Sequence, residues 1–307
     1  MRTVIAVTDR LPGVEGTPDR RQGALLASVF SPVTVRGLAR EDVGAAAPRL
    51  QILAELMRAV PGASVGDAFD AAHRLLSRGY RSEYVFKNDI VSRVVFGRHS
   101  PRTASALVEQ PTGESIADVM VLNGTTTIYE VKTDLDQFTR LAGQLRDYCS
   151  RAEFVNVVTS PARVAAAAAA TPEHVGIIAL QQRRGQLTTF RAAQSNLARL
   201  NVAHLFRFLR TAEVQAVLRQ THAYEPNSHQ GLMWEEMEHL FMTLPIPVAH
   251  NLVLQQLRTR ADSLRDVVTA PELPESLRAL MYTQSPSKVG VRRLRERLRL
   301  PVALFLG

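Results

Sequence analysis

At 307 residues with 46% hydrophobic content, the chain is long enough for one large domain or two of ordinary size and apolar enough for a real core. One cysteine, Cys149, excludes an internal disulfide framework and any zinc site built on cysteines, and it suits a reducing compartment. The 37 basic and 29 acidic residues leave a net charge of +8, which permits an anionic partner; no apolar run reaches signal or membrane-spanning length, so the expectation is a cytoplasmic protein without a membrane role.

Taken in chain order, three regions differ in texture: residues 1–79, 80–192 and 193–307. Residues 1–48 are rich in Gly, Pro and Ala, with short apolar pieces such as TVIAV and FSPVTV, and read as an irregular arm. From Pro48 to about Arg78 the apolar residues recur at three and four, predicting two short helices broken at Pro61-Gly62. YRSEYVFKNDIVSRVVFG then reads as a helix ending at Gly97, followed by three strand-like runs, SALVEQ, SIADVMVL and TTIYEVK, separated by PTGE and NGT turn chemistry.

The next segment, DLDQFTRLAGQLRDYCSRA, places Leu135, Phe138, Leu141, Leu145 and Tyr148 on one helical stripe, and FVNVVTS and VGIIALQQ look like strands covered on both faces. Helix, three strands, helix, strand predicts an α/β unit with a mixed central sheet flanked by helices. The alanine run at 165–170 is low complexity, a helix or linker without assigned function. From about Gln194 the chain is helical in texture to its end, with breaks at EPNSHQG, LPIP, APELPE and SPSKVG.

One stretch, IADVMVLNGTTTIYEVK, sets a charged residue inside an apolar strand, which is costly unless the group is paired or metal-bound. Hairpin side chains alternate with period two, so loop length decides what Asp118 faces. A two-residue loop at Asn123-Gly124 would put Asp118 across from Tyr129; a three-residue loop, Asn123 to Thr125, puts it across from Glu130. Two opposed carboxylates can chelate one hard cation. Lys132 follows Glu130 by two and shares its side of the strand, so one patch would hold Asp, Glu and Lys. Mg²⁺ suits such a site because it takes oxygen ligands and often only one or two carboxylates. It would lower the pKa of a bound water and stabilise charge on a phosphate. The plainer reading is that Asp118 caps a strand end and Glu130-Val131-Lys132 is a solvated terminus.

With Asp118, the Glu130-Val131-Lys132 triplet, a preceding helix bearing Glu83 and a following helix bearing Gln144, residues 80–192 resemble the PD-(D/E)XK nuclease superfamily and its restriction-endonuclease-like fold. QLRDY is similar to the QxxxY element of the RecB-like branch. YRSEYVFKN, GRHS, SIADVMVLNG and YEVKT resemble a group of uncharacterised bacterial members. The proline of the PD pair is replaced by Ala117, as in many members. The resemblance implies that Asp118 and Glu130, with the Val131 carbonyl, bind Mg²⁺, with Mn²⁺ able to substitute. It makes Lys132 the catalytic lysine, lets Glu83 complete the metal site, and has Gln144 orient substrate with Tyr148 behind it.

It implies metal-dependent hydrolysis of nucleic acid, DNA before RNA, leaving a 3′-hydroxyl and a 5′-phosphate. Substrate contacts would fall to Lys87, Tyr148, Arg98, His99, Arg292 and Arg293. Each has a plainer alternative: Glu83 and Lys87 as a surface helix pair, Gln144 as a helix-face polar residue, Tyr148 as core, Arg98-His99 as a solvated loop. The terminal helix, KVGVRRLRERLR, packs a Val291, Leu294 and Leu298 stripe and leaves its arginines in water or on a phosphate backbone. The rival function is a non-catalytic module binding nucleic acid or protein on a nuclease-like fold, with the helical C-terminal region docking a protein partner or a second copy.

Overall fold

A computed structural model describes residues 17–181, 186–226, 230–283 and 286–306. By contacts the chain divides into two compact units: Met1–Asn88 with Val267–Gly307, and Asp89–Asp266. The textural changes at 80 and 193 mark where composition shifts; the contacts divide the chain near residues 88 and 266 instead, because the two ends of the sequence pack into one body.

The first unit is helical. Helices α1 (Arg20–Ala27), α2 (Pro32–Ala39), α3 (Ala47–Leu56) and α4 (Val65–Gly79) lead into α5 (Glu83–Ile90), and α13 (Arg278–Tyr282) and α14 (Lys288–Leu298) return from the far end of the sequence. The expected irregular arm is corrected here: residues 20–39 form two helices, and TVIAV lies outside the described residues. Local chemistry does the work that periodicity could not show in such short pieces. Asp19 and Gln22 form a reciprocal capping box on α1, and Ser31 caps α2 ahead of Pro32 at its first position.

Two helices flank Pro61-Gly62 as expected. On α4, Ser64 and Asp67 form a second capping box, and Val65, Ala68, Phe69, Ala72, Leu75 and Leu76 are buried at helical spacing. The C-terminal segment bonds beside it, with the Val65 N–H donating to Leu300 O and the Val302 N–H to Ala63 O, both at 2.9 Å.

The second unit carries one six-stranded sheet in sequence order, β1 (Ser105–Thr112), β2 (Ser115–Leu122), β3 (Thr126–Lys132), β4 (Phe154–Thr159), β5 (Gly176–Leu180) and β6 (Leu187–Arg191). Pairs β1–β2, β2–β3 and β5–β6 are antiparallel; β3–β4 and β4–β5 are parallel. Helix α6 (Leu141–Cys149) connects β3 to β4, and α7 (Val164–Ala169), made from the alanine run, connects β4 to β5. This is the expected mixed α/β sheet flanked by helices. Pro111 is tolerated because β1 is an edge strand. A π-helical segment, Val91–Arg98, follows α5 and buries Val91, Val94 and Val95.

Helices α8 (Val202–Phe206), α9 (Thr211–His222), α10 (Gln230–Met242) and α11 (Ile246–Asp262) complete the unit, and α12 (Arg265–Val268) follows. Breaks occur at LPIP and APELPE as the sequence suggests; EPNSHQG and SPSKVG fall partly outside the described residues. One core joins Met120, Leu122 and Ile128 of the sheet to Leu141, Leu145 and Tyr148 of α6 and to Phe206, Phe241, Val253 and Leu257 of the later helices.

Two further expectations need correction. The helix predicted from Asp134 begins only at Leu141, and Leu135 is 65% exposed instead of on the apolar stripe. Arg163 accounts for this: its guanidinium takes Thr133 O and Asp136 O, carbonyls that an unbroken helix would give to its own N–H groups. Strand β6 went unforeseen because its residues are mostly exposed and carry no apolar run.

Candidate functional site

The β2–β3 register decides the site. Leu122 pairs with Thr126, Val121 with Thr127, Met120 with Ile128 and Val119 with Tyr129, which is the three-residue-loop alternative. Gly124 makes that loop possible at φ +67°, in the left-handed region that glycine occupies without strain. Continued by one residue, the register sets Asp118 opposite Glu130. The ladder stops there: the Val131 N–H donates to Asp118 Oδ2 at 2.7 Å.

Glu130 is the hub, and it is 2% exposed. Its Oε1 accepts from Lys132 Nζ and from Gln144 Nε2, both at 2.6 Å, and its Oε2 accepts from the Tyr148 hydroxyl at 2.9 Å. Lys132 Nζ also donates to Gln144 Oε1 at 2.9 Å. The Tyr148 hydroxyl has one proton and a second acceptor within reach, Ile116 O at 2.8 Å. Four residues from two elements therefore close one network, because Gln144 and Tyr148 are one turn apart on α6 and that face packs on the sheet. Burial pushes the Tyr148 pKa far up, with the charge of Glu130 next in size and that of Asp118 adding to it. Tyr148 is thus a neutral donor across the ordinary pH range, and both carboxylates act on it.

The plainer reading of Tyr148 as core holds, since the side chain is wholly buried, and its hydroxyl also donates to Glu130, while Gln144 bonds Glu130 and Lys132. The solvated-terminus reading of Glu130 and Lys132 fails, since Lys132 is only 8% exposed. His99 is not brought to this place, and Arg98 lies within electrostatic range of Tyr129, the residue before Glu130 on β3. His99 contacts the Asn123 side chain at 3.0 Å, at the loop end of β2, five residues and about 16 Å of extended chain from Asp118. Glu83 and Lys87 lie on α5 in the first unit and pair with each other. Arg292 and Arg293 are also in the first unit, ion-paired to Glu296 at 3.9 Å and Glu41 at 3.7 Å.

Several residues of this region escaped the sequence reading. The pairs Val108↔Val119 and Gln110↔Ala117 bracket Glu109 against Asp118, so three acidic residues occupy one row across β1, β2 and β3. Glu109 has φ +56°, a left-handed backbone that no local sequence signal announces. Beyond Lys132, the Thr159 hydroxyl donates to Lys132 O at 2.6 Å, Ser160 bonds Asp134, and Arg163 donates to Thr133 O and to Asp136 O while lying 4.6 Å over the Phe138 ring. This clamp fixes the chain on the C-terminal side of Lys132. Its one legible trace is Thr133 spaced three before Asp136, a capping pattern.

Among the described residues, no group of three or more His, Cys, Asp or Glu side chains is placed to hold a metal. Asp118 and Glu130 offer hard oxygen donors of the number Mg²⁺ commonly takes from protein, the rest of its shell being water and phosphate. Glu130 accepts three hydrogen bonds out of about four lone-pair sites of a carboxylate, leaving one open position on Oε2. Asp118 and the open position on Glu130 are the hard oxygen donors that this pair of strands offers.

Residues 77–270 match the family described as Bacteriophage P4 protein cII. The chain belongs to that family. The match takes in the whole sheet, α6 and the candidate site of this cII-family chain. A relative, protein cII of Enterobacteria phage P4, is 29% identical over 106 residues, which cover 34% of this chain and 40% of that protein. The cII-family chain therefore spans less than half the length of that relative in alignment. No solved structure matches it. Among its described residues no helix is long and apolar enough to cross a membrane.

Proposed function

We propose that this cII-family chain is a metal-dependent phosphodiesterase with a restriction-endonuclease-like core, cutting nucleic acid and DNA by preference. The observation that carries the reading is convergence: Asp118, Glu130 and Lys132 lie on two adjacent strand ends, and Gln144 and Tyr148 of the following helix close on Glu130. The order of helix, three-strand meander, helix and parallel strand also supports it. Asp118 and Glu130 would hold Mg²⁺ or Mn²⁺, with the Val131 carbonyl between them as a further donor. The ion would supply a more acidic water and charge neutralisation at phosphorus.

The chain's own residues have definable tasks. Two of the three Lys132 N–H donors are committed to Glu130 and Gln144. The third remains to hold the attacking water or a phosphate oxygen. Gln144 fixes the ammonium and the carboxylate relative to each other. Tyr148, neutral and buried, holds Glu130 in one rotamer.

A second reading has an observation of its own: Lys132, Gln144 and Tyr148 already satisfy most of Glu130, as a purely structural network in a binding module would. One experiment separates the two. Cleavage of single- and double-stranded DNA and RNA is measured with Mg²⁺, Mn²⁺ or EDTA, for wild type and Lys132→Ala, beside melting with and without metal for wild type and Asp118→Ala. The nuclease reading expects metal-dependent cutting lost in Lys132→Ala and metal-dependent stabilisation lost in Asp118→Ala. No cutting by either protein together with no metal-dependent change in melting rejects it in favour of the binding module.

A further inference from the structure

The charge of the chain is divided unevenly. The segments of the first unit hold 19 basic and 12 acidic residues, net +7, while Asp89–Asp266 holds 18 and 17, net +1. The unit with the candidate site carries almost no net charge, so the excess positive charge of the chain lies in the first unit. The positive charge concentrates on the α2 and α14 pair. Arg297 is half-buried, donating to Gly37 O at 2.7 Å and to Leu38 O, so it satisfies the last carbonyls of α2 and ties the two helices together. Arg36 and Arg40 of this region are exposed, and they line an open cavity of about 570 Å³ together with Glu41 and Asp42 of the turn that follows α2. On α14, Arg292 is 71% exposed and Arg299 67%, with Arg295 at 44% and Arg293 at 37%.

The acidic groups Glu41, Asp42, Glu272 and Glu296 cancel this only in part. Glu41, 91% exposed at 3.7 Å from Arg293, and Glu296, 65% exposed at 3.9 Å from Arg292, form loose surface pairs of small worth. Glu272 alone takes both Arg295 and Arg299. We infer that the α2–α14 face is a binding surface for the phosphate backbone of duplex nucleic acid, holding substrate independently of the chemistry in the second unit. No exposed aromatic residue stands on α14 or α2, so the face lacks the stacking platforms that single strands require. The apolar stripe of α14, Leu294 and Leu298, is buried and Val289 is its one exposed large apolar side chain, too small an apolar face to insert in a lipid surface. Guanidinium groups without base-reading neighbours bind phosphate without sequence preference.

The inference rests on the nuclease reading only for the choice of partner, and binding is tested without cleavage. A fluorescein-labelled 30-base-pair DNA duplex is titrated in EDTA across a salt series. The proteins are wild type, Arg36→Gln/Arg40→Gln/Arg292→Gln/Arg293→Gln, and the control Arg199→Gln/Arg219→Gln, whose two arginines are exposed in the second unit. Thermal melting of each variant checks folding. The quadruple variant is expected to bind at least tenfold more weakly at 0.1 M salt. Its log K against log salt slope should be shallower by roughly 0.9 for each phosphate that the variant no longer neutralises, with the control within twofold of wild type. Unchanged binding, an equal loss per arginine in the control, or no wild-type binding at 50 mM salt overturns the proposal. So does retention of the wild type on phosphatidylserine vesicles in place of duplex. Duplex binding that depends on this face, in a protein that neither cuts nor gains metal-dependent stability, would reject the nuclease reading and leave this one standing.

Discussion

Lys132→Met keeps the side-chain stem and removes the ammonium that sits 2.6 Å from Glu130 Oε1. The carboxylate stays 2% exposed, and breaking a buried ion pair from one side costs about 3–5 kcal/mol. Two neutral donors remain in place, Gln144 at 2.6 Å and Tyr148 at 2.9 Å, each able to supply about 1.5–3 kcal/mol to a charged acceptor. The two remaining donors therefore bring the loss below that range, to about 2–3 kcal/mol. For a body of this size that lowers the melting temperature by roughly 2–4 °C per kcal/mol. Glu130→Gln in the same background removes the stranded charge, so the double variant should recover about 1–2 kcal/mol relative to the sum of the single changes. Urea unfolding of the four proteins measures this directly. A single-variant cost below about 1 kcal/mol, or strictly additive changes, would refute the pairing on which the site's geometry depends.

Other expectations are independent of it. Gly113 turns the β1–β2 hairpin at φ +70°, and a Cβ there would lie 2.3 Å from Asp147 Oδ1 on α6; Gly113→Ala should lower stability by about 1–3 kcal/mol in urea unfolding, and no loss would mean that α6 yields. Glu109→Gly relieves a left-handed glutamate, so stability should rise by up to about 1 kcal/mol; a fall would show that the contacts of the side chain outweigh its backbone cost. His73 is pushed down to about 4 chiefly by burial, with Arg74 adding and Asp70 opposing. The unfolded chain takes up that proton first, so the stability of the neutral ring is full above about pH 6.5 and is lost as the pH falls toward 4. It amounts to about 3 kcal/mol at most, and His73→Phe should flatten the acid side of a stability-against-pH curve over that window.

What the sequence determined by itself was the order of the sheet-bearing segment and the two registers open to its hairpin. Alternating apolar strands, turn residues and an amphipathic helix are local signals, and Asp118, Glu130, Lys132, Gln144 and Tyr148 fall where those signals place them. Which register holds was decided in three dimensions: Asp118 opposes Glu130 because Gly124 adopts a positive φ while the Met120 and Ile128 face is buried against α6. The start of α6 at Leu141 was likewise settled by a distant side chain, Arg163, which takes the carbonyls of Thr133 and Asp136 and outweighs a matching period. Beyond the reach of any sequence window was the joining of residues 17–88 to the far C-terminal segment. Contacts between chain ends, such as Val65 with Leu300 and Arg297 with Gly37, depend on packing between residues more than two hundred positions apart. Periodicity carries no information across that separation. It is this long-range packing that gathers the arginines of both ends on one unit and leaves the carboxylates in the other.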